Sequence, residues 1–275
     1  MVKRKPLIYI LLTVLAAVFL FPIAVIILNS FKTKFDIIGQ PFTLPTSETF
    51  AGIENYIAGI EMSNFVSAFL LSLFITVMSV AAIVIFTSMT AWYIVRNKTG
   101  FTKLLYYAFV FSMIVPFQMV MYTMTYTASK LYLNNPIGII IIYLGFGSGL
   151  SVFMFTGFVK SIPKSIEEAA MIDGCNPLQL FFKVVFPVMK PTVITVAILN
   201  AMWIWNDYLL PYLVLGTEYK TVPVAIQISM QGAYGSVNWG GFMAVLVLAI
   251  IPIIVFYMFS QRFIIKGVIA GAVKG

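Results

Sequence analysis

The fold is decided first by the stretch FVSAFLLSLFITVMSVAAIVIFTSMTAWYIV, residues 65–95, which contains no charged side chain. An α-helix rises about 1.5 Å per residue, so this stretch is longer than the roughly 30 Å needed to cross the hydrocarbon core of a membrane. The whole chain has a similar character, because 61% of its 275 residues are hydrophobic and 9% are charged. Soluble domains contain about 25% charged residues. The composition therefore excludes a soluble globular protein and predicts an integral membrane protein.

Five further segments are apolar over a length that suits a membrane span and contain at most one charged residue each. They cover residues 7–28, 104–128, 138–159, 191–215 and 242–264. Together with 65–95 they predict an all-α integral membrane protein with six transmembrane helices. No long polar region separates them, so we expect one transmembrane domain over residues 1–275.

The distribution of Lys and Arg predicts the orientation of these spans. If the N-terminus is inside, the inner segments hold most of the 17 basic residues, and the outer loops hold Lys32, Lys34, Lys130 and Lys220. Both termini are therefore predicted to be cytoplasmic, in a multi-pass protein of the plasma membrane. The net charge of +8 then follows from topology, and no nucleic-acid partner is needed to explain it.

The chain contains no histidine and a single cysteine, Cys175. The absence of histidine excludes Ser-His-Asp and Cys-His hydrolysis, histidine metal sites and histidine proton relays. One cysteine cannot form an internal disulfide framework. No metal site and no catalytic residue are predicted.

The inner segment 160–190 is patterned too regularly for a plain connection. Ser165 and Glu168 have the spacing of a capping box, in which the serine hydroxyl accepts from the amide of Glu168. Gly174 suits the left-handed residue that ends a helix. The pattern predicts a helix of two turns, with the side chains of Ala169 and Ala170 forming a slim face.

A second short helix is predicted to follow, with Asn176 as its cap and Pro177 at its first position. Its predicted apolar face consists of Leu178, Phe181, Phe182 and Val185, and Pro187 and Pro191 are predicted to end it. Two interpretations remain open. The first helix docks into a cytoplasmic partner, or both helices form an interfacial hairpin packed on their own protein.

The fifth predicted span carries the only acidic residue inside an apolar segment, Asp207. Intramembrane ionisable residues are candidates for function. Asn200, Trp203 and Asp207 share one helical face, and aromatic rings beside amide and carboxylate groups are suited to bind sugar. The candidate substrate pathway is therefore Asn200, Trp203, Asn206, Asp207 and Tyr208. The alternative is an aromatic belt, with Asp207 capping a helix that breaks before Pro211.

A second polar patch follows Pro116 in the third predicted span, where Gln118 and Tyr122 lie one turn apart. Packing is the favoured interpretation, and pathway lining is the alternative. In the fourth span, Gly145 and Gly149 form a Gly-x-x-x-Gly pattern that is typical of a close helix contact.

The outer segments also differ in character. Residues 29–64 form the longest outer segment, interpreted either as a small ordered cap or partner surface or as a mere connection. Residues 216–241 are rich in Gly, Ser, Tyr and Gln, which predicts turns and mobility.

The inner segment resembles the EAA loop of ATP-binding-cassette importer permeases. Glu168-Ala169-Ala170, then Gly174, then Val184-Val185-Phe186-Pro187 reproduce its long, gapped spacing, with Val184 and Phe186 in place of the commoner isoleucine and leucine. Residues 205–211, Trp-Asn-Asp-Tyr-Leu-Leu-Pro, look like a segment of the carbohydrate-importer permeases. The ending 271–275 looks like the tail of the maltose-type second permease subunit.

This resemblance implies a type I importer permease fold and the role of a permease subunit for carbohydrate. The implied substrate is an oligosaccharide, for example a raffinose- or maltose-like one. It implies that the helix near Ser165 is a coupling helix seated in a separate ATPase subunit. The residues implied in this coupling are Ser165, Glu167, Glu168, Ala169, Ala170, Asp173, Gly174 and Pro187. The tail residues Val273, Lys274 and Gly275 would reach the ATPase interface, and the outer segment 216–241 would probe the binding protein.

The implied assembly has two homologous permeases, two ATPase subunits and one extracytoplasmic sugar-binding protein in the lipid bilayer. ATP and Mg²⁺ would be bound by the ATPase subunits, and this chain would hold no cofactor and catalyse no reaction. The sequence contains no Gly-x-x-x-x-Gly-Lys-Ser/Thr phosphate loop, which agrees with that division.

Two alternatives remain within transport. A permease for glycerol phosphate or another polyol fits the same family, although a phosphorylated substrate favours arginine in the cavity, and the spans offer none away from their ends. An ion-coupled secondary transporter would need several buried ionisable groups and internal repeats, whereas the spans offer one aspartate and no visible repeat.

Overall fold

The computed structural model describes residues 5–231 and 237–272, and every regular element in these ranges is a helix. We number the helices in chain order, treating Pro177–Val188 as one helix that contains a π-helical turn at Leu180–Val185. They are α1 (Lys5–Asn29), α2 (Lys34–Gly39), α3 (Glu54–Ser63), α4 (Phe65–Arg96), α5 (Gly100–Ser112), α6 (Phe117–Lys130), α7 (Gly138–Val159), α8 (Lys164–Ile172), α9 (Pro177–Val188), α10 (Lys190–Asn206), α11 (Leu209–Leu215), α12 (Val222–Gln231) and α13 (Trp239–Ala272).

Four helices, α1, α4, α7 and α13, are each long and apolar enough to cross a membrane. Two bent pairs also qualify if each pair counts as one span, so the described residues contain four to six candidate spans. The pair α5 and α6 is bent by 107°, and the pair α9 and α10 by 80°.

Two predicted spans therefore differ from the structure. The prediction of one continuous helix over 104–128 is wrong, because α5 ends at Ser112 and α6 begins after Pro116, whose backbone is extended. The prediction of one helix over 191–215 is also wrong, because Asp207 adopts an extended conformation between α10 and α11. Apolar composition does not register such breaks, since the residues on both sides are equally hydrophobic.

The chain forms two compact units, described separately below. Unit 1 contains Met1–Phe69 and Val222–Val255, and unit 2 contains Leu70–Thr221 and Phe256–Gly275. In unit 2, the buried core is built mainly from α4, α7, α9 and α10. Ile83, Tyr143, Phe155, Phe181 and Val196 are representative members, each at most 1% exposed.

In unit 1, the segment 29–64 is an ordered structure that contains the helices α2 and α3. A backbone bridge joins Lys32 to Phe50. The Lys32 side chain is fully buried, and its Nζ donates to the carbonyl oxygen of Gln40 at 2.8 Å and to Oγ1 of Thr43 at 3.3 Å. Burial lowers the pKa of the Lys32 ammonium, although the carboxylate of Asp36 acts in the opposite direction.

Within unit 1, α3 also packs against α12, and Gly59 lies so close to Gly241 that a Cβ at Gly59 would meet the Gly241 carbonyl oxygen at 2.6 Å. The residues of 216–241 that the structure describes are partly helical, since α12 occupies Val222–Gln231. In contrast, the apolar side chains along α1 are exposed in the isolated chain, as expected of a helix that faces lipid or another subunit.

Candidate functional site

The helix α8 lies in the inner segment 160–190 and starts differently from the prediction. It begins at Lys164, with Pro163 in an extended conformation as its N-terminal flanking residue and without a side-chain cap. The predicted capping box between Ser165 and Glu168 is therefore wrong. Pro163 sets the start of the helix one residue early, so Ser165 already lies within the helix.

The end of α8 agrees with the prediction. Gly174 has a φ angle of +82°. Its amide donates to the carbonyl oxygen of Met171 at 3.1 Å, and the amide of Cys175 donates to that of Ala170 at 3.0 Å. This pair of bonds is the Schellman motif, which requires a left-handed residue and favours glycine there.

One face of α8 is fastened to the C-terminal end of α4. Glu167 is 6% exposed, and its Oε1 accepts from Nη2 and Nε of Arg96 at 2.6 and 2.8 Å. Its Oε2 accepts from the indole Nε1 of Trp92 at 3.0 Å. Arg96 Nη2 also donates to the carbonyl oxygen of Ile162 at 3.0 Å. These bonds fix the position of α8 relative to α4.

Much of the remaining surface of α8 is exposed. Glu168 and Ala169 lie on it, and none of the described side chains pairs with Glu168. Met171 and Ile172 add exposed apolar surface, with 53% and 86% of their side chains accessible. Ala170 is only 9% exposed, so the prediction that Ala169 and Ala170 form one slim outer face is wrong. Their angular separation on the helix places them on different sides.

The second helix of the hairpin, α9, begins as predicted. The Asn176 side chain accepts from the Gln179 amide at 2.9 Å, and the Gln179 side chain accepts from the Asn176 amide at 3.1 Å. The helix ends as predicted, since its last residue is Val188, between Pro187 and Pro191.

The apolar face of α9 is shifted by its π-helical turn. Leu180, Phe181 and Val185 are buried, whereas the predicted Leu178 and Phe182 are 61% and 45% exposed. The ring of Phe181 lies 5.6 Å from that of Trp92, so α9 packs on the same part of α4 as α8. The hairpin is thus packed on its own protein on one side and open on the other.

The polar residues of α10 meet one face of α7. Asp207 Oδ2 accepts from the Tyr143 hydroxyl at 3.1 Å, and Oδ1 accepts from the amides of Leu209 and Leu210 at 3.0 and 3.3 Å. Trp203 packs edge-on against Tyr143, with ring centroids 5.4 Å apart. Asp207 therefore caps α11 and ties the helix break to α7, as in the alternative interpretation of this segment.

Asn200 extends this contact by two turns. It is 4% exposed, and its Nδ2 donates to Ser151 Oγ at 3.2 Å and to the Val196 carbonyl oxygen at 2.9 Å. Gly147 makes room for it, since a Cβ there would lie 2.9 Å from Asn200 Oδ1. Tyr143, Gly147 and Ser151 are spaced by four residues and so form one stripe of α7.

The remaining predicted pathway residues lie at the surface of unit 2, where Tyr208 is partly buried and the others are exposed. Asn206 is exposed and donates to the Met202 carbonyl oxygen at 2.7 Å. Tyr208 stacks on Tyr212 at 5.3 Å. Gln118 and Tyr122 on α6 are exposed, Tyr122 by 74%. Val273, Lys274 and Gly275 lie outside the described residues.

Comparison with known proteins decides the family. The profile of the family described as "binding-protein-dependent transport system inner membrane component" matches residues 56–270. The chain belongs to this family. It is accordingly a multi-pass protein of the inner membrane with the permease fold of ATP-binding-cassette transporters.

Individual family members are similar over nearly their whole length. A "probable starch degradation products transport system permease protein" from Thermoanaerobacterium thermosulfurigenes is 39% identical, over 95% of this chain and 94% of its own. A multiple sugar-binding transport system permease protein from Streptococcus mutans is 35% identical over 97% and 96%. A melibiose/raffinose/stachyose import permease protein from Bacillus subtilis is 30% identical over 99% and 98%.

A crystal structure has the same fold. It is that of a bacterial ABC transporter involved in the import of the acidic polysaccharide alginate, with a TM-score of 0.78, 24% identity, and coverage of 95% of this chain and 98% of that one.

Proposed function

We propose that this family member is a permease subunit of an ATP-driven importer for carbohydrate of the oligosaccharide class. Its similar relatives are named for starch products, multiple sugars and raffinose-type sugars. The observation that carries the proposal is the state of α8. One face is fastened to α4 through Glu167, and the other presents Glu168 and apolar side chains to a partner.

The partner that suits this exposed face is an ATPase subunit. A short helix with one packed face and one open face can act as a rigid lever only if its base does not shift. Arg96 and Trp92 hold that base through three hydrogen bonds from side chains. Motion of an ATPase that grips Ile172, Ala169 and Glu168 would therefore reach α4 directly.

Membrane topology completes the proposal. We count each bent pair as one crossing, with α10 crossing the membrane and α9 lying on its inner side, which gives six spans with both termini cytoplasmic and places α8 on the inner side. The assembly then comprises this chain, a second homologous permease, two ATPase subunits that bind ATP and Mg²⁺, and an extracytoplasmic sugar-binding protein. Residues 1–275 form one permease domain in this arrangement, and 216–241 face the binding protein.

The polar residues divide into two groups in this proposal. Asn200 and Asp207 hold α10 and α11 against α7, because their polar atoms bond to Ser151, Tyr143 and backbone amides. The exposed side chains of Trp203, Asn206, Gln118 and Tyr122 are available to line a sugar pathway. Aromatic faces beside amide groups offer stacking and hydrogen bonds to a carbohydrate.

The test is uptake in cells that express or lack this chain, with a panel of labelled maltose- and raffinose-type oligosaccharides and with glycerol phosphate. We expect loss of oligosaccharide uptake in the cells that lack it, and abolition of uptake by ATP depletion. Uptake of glycerol phosphate without uptake of any oligosaccharide would show that the substrate is a polyol phosphate and not an oligosaccharide. Uptake that survives ATP depletion and collapses with the ion gradient would overturn the ATP-driven mechanism.

A further inference from the structure

A cationic cavity in unit 2 lies beside the base of α8, and its lysines have no part in the mechanism above. It has a volume of about 710 Å³ and lies where α4 ends, α5 begins, α7 ends and α8 begins. This size falls within the range of roughly 300–1,000 Å³ that is typical of small-ligand sites. Both α4 and α7 qualify as membrane spans, so the cavity lies at the level of one membrane surface.

All of the charged side chains that line the cavity are basic. Five basic residues line it, and no carboxylate does. They are Arg96, Lys98, Lys103, Lys160 and Lys164. Arg96 is neutralised by Glu167, whereas the four lysines form no ion pair in the part of the chain that the structure describes. Lys160 lies over the ring of Tyr106, 5.7 Å from its centroid, which holds its ammonium at the cavity.

A buried hydroxyl also lacks a partner at this place. Thr156 lines the cavity and is 2% exposed, and its Oγ1 has no hydrogen-bond partner among the described atoms. Buried polar atoms are nearly always satisfied, so an unsatisfied one calls for an explanation. The hydroxyl is shielded in this geometry, and a rotation of the Thr156 side chain would bring it to a ligand oxygen in the cavity, which would provide the missing partner.

The lining is also partly apolar, through Ile94, Val95 and Ile162. A soluble anion gains nothing from these side chains. A lipid with an anionic headgroup uses both parts, because its phosphate meets the lysines while its glycerol and first methylenes meet the apolar side. Basic pockets between membrane helices on the cytoplasmic side bind such headgroups.

We propose that this cavity binds the phosphate headgroup of an anionic phospholipid from the inner leaflet, with Lys103, Lys160 and the Thr156 hydroxyl as its ligands. The leaflet rests on the proposed topology. The bound lipid would fill the space beside the base of α8 and so support the position of the coupling helix.

The experiment measures lipid binding to the purified, delipidated transporter complex, with radiolabelled phosphatidylglycerol as the probe. Unlabelled phosphatidylglycerol, phosphatidylcholine and inorganic phosphate serve as competitors. We expect displacement by the first and not by the other two. Displacement by inorganic phosphate at similar concentration would overturn the lipid assignment in favour of a soluble anion.

The variants compare the cavity with an equally basic surface outside it. Lys103→Gln with Lys160→Gln should weaken phosphatidylglycerol binding about twenty-five-fold, since each lysine contributes about fivefold near an anionic headgroup. Lys183→Gln with Lys190→Gln removes two exposed lysines of the same inner segment that do not line the cavity, and should leave binding unchanged. Equal losses of phosphatidylglycerol binding in the two double variants would show general charge attraction and overturn the proposed site.

Thr156→Val provides an independent test that does not depend on charge. No internal hydrogen bond is lost in this variant, so the complex should assemble normally by size-exclusion chromatography. We expect roughly fivefold weaker binding of phosphatidylglycerol from the loss of one hydrogen bond. Unchanged binding of phosphatidylglycerol would show that the Thr156 hydroxyl is not a ligand, contrary to the proposal. Because the readout is lipid and not sugar, a failed uptake proposal would leave these results interpretable.

Discussion

Arg96 donates two hydrogen bonds to a single oxygen of Glu167, from Nη2 at 2.6 Å and from Nε at 2.8 Å. The two side chains are 15% and 7% exposed, so the pair is largely shielded from water. Trp92 donates to the second carboxylate oxygen at 3.0 Å. A short helix such as α8 is not stable by itself in water, and this cluster joins it to a long membrane helix.

The first prediction concerns the packed side of α8. Glu167→Ala removes the partner of a largely buried guanidinium, and breaking such a pair typically costs about 3 kcal/mol. We expect a lower unfolding temperature of the purified complex and a loss of sugar uptake of tenfold or more. Thermal unfolding in detergent and uptake in proteoliposomes measure the two effects.

A double-mutant cycle separates the ion pair from other effects of the substitution. Arg96→Ala should be as destabilising as Glu167→Ala, and the double variant should be less destabilising than the sum, because it leaves no charge unpaired. Additive losses would mean that the two residues do not act together, contrary to the geometry.

The second prediction concerns the adjacent residue on the open side. Glu168→Ala removes an exposed side chain that has no partner among the described residues, so the unfolding temperature should stay the same within experimental error. Uptake should nevertheless fall at least tenfold, while ATP hydrolysis by the complex no longer responds to the sugar-loaded binding protein.

The pair of neighbours thus provides its own control. Glu167→Ala acts through stability and position, whereas Glu168→Ala acts through the interface with the ATPase. Normal uptake by the Glu168→Ala variant would be evidence that the open face of α8 does not dock, and the interfacial hairpin would then be the better interpretation.

Local sequence patterns predicted those parts of the hairpin that depend on a few neighbouring residues. Gly174 ends α8 in the left-handed conformation, and Asn176 caps α9, because both signals act within one turn of helix. The contact of Arg96 with Glu167 spans 71 positions, and no local pattern reports it. The only sequence signal is the position of Glu167 directly beside the matched motif.

The bends in the membrane helices show a second limit. Hydrophobicity is continuous across Pro116 and across Asp207 in the sequence, so a search for apolar length predicts one helix at each place. The helix is broken at both positions. The backbone of Pro116 is extended, and the Asp207 carboxylate accepts hydrogen bonds from the amides of Leu209 and Leu210. Capping by Asp207 is a local signal, and it predicts the break only if it is given more weight than the apolar length around it.

The third prediction distinguishes the structural role of Asp207 from a role in sugar binding. Asp207→Ala removes the cap of α11 and leaves the Tyr143 hydroxyl unpaired, at a combined cost of about 2 kcal/mol. Asp207→Asn keeps an acceptor for the amides of Leu209 and Leu210 and a donor beside Tyr143, so its unfolding temperature should stay near that of the wild type.

Uptake kinetics complete this test. The Asp207→Asn variant should keep the KM for sugar within about twofold, since the side chain holds helices together and its oxygens are already in use. A stable Asp207→Asn protein with a KM raised tenfold or more would instead place the carboxylate in contact with the sugar.

The last prediction compares two glycines of α7 that the sequence pairs in one Gly-x-x-x-Gly pattern. A Cβ at Gly149 would meet the Phe109 carbonyl oxygen and Met113 Cγ at 2.8 Å and Ser112 Oγ at 2.6 Å. A Cβ at Gly145 would meet nothing within 4 Å among the described atoms. Gly149→Ala should cost about 1–3 kcal/mol, because the end of α5 must move away. Gly145→Ala should be neutral or stabilising by up to about 1 kcal/mol, from helix propensity alone. Thermal unfolding of the two variants decides the comparison, and a Gly149→Ala protein as stable as Gly145→Ala would contradict the close approach of α5 to α7.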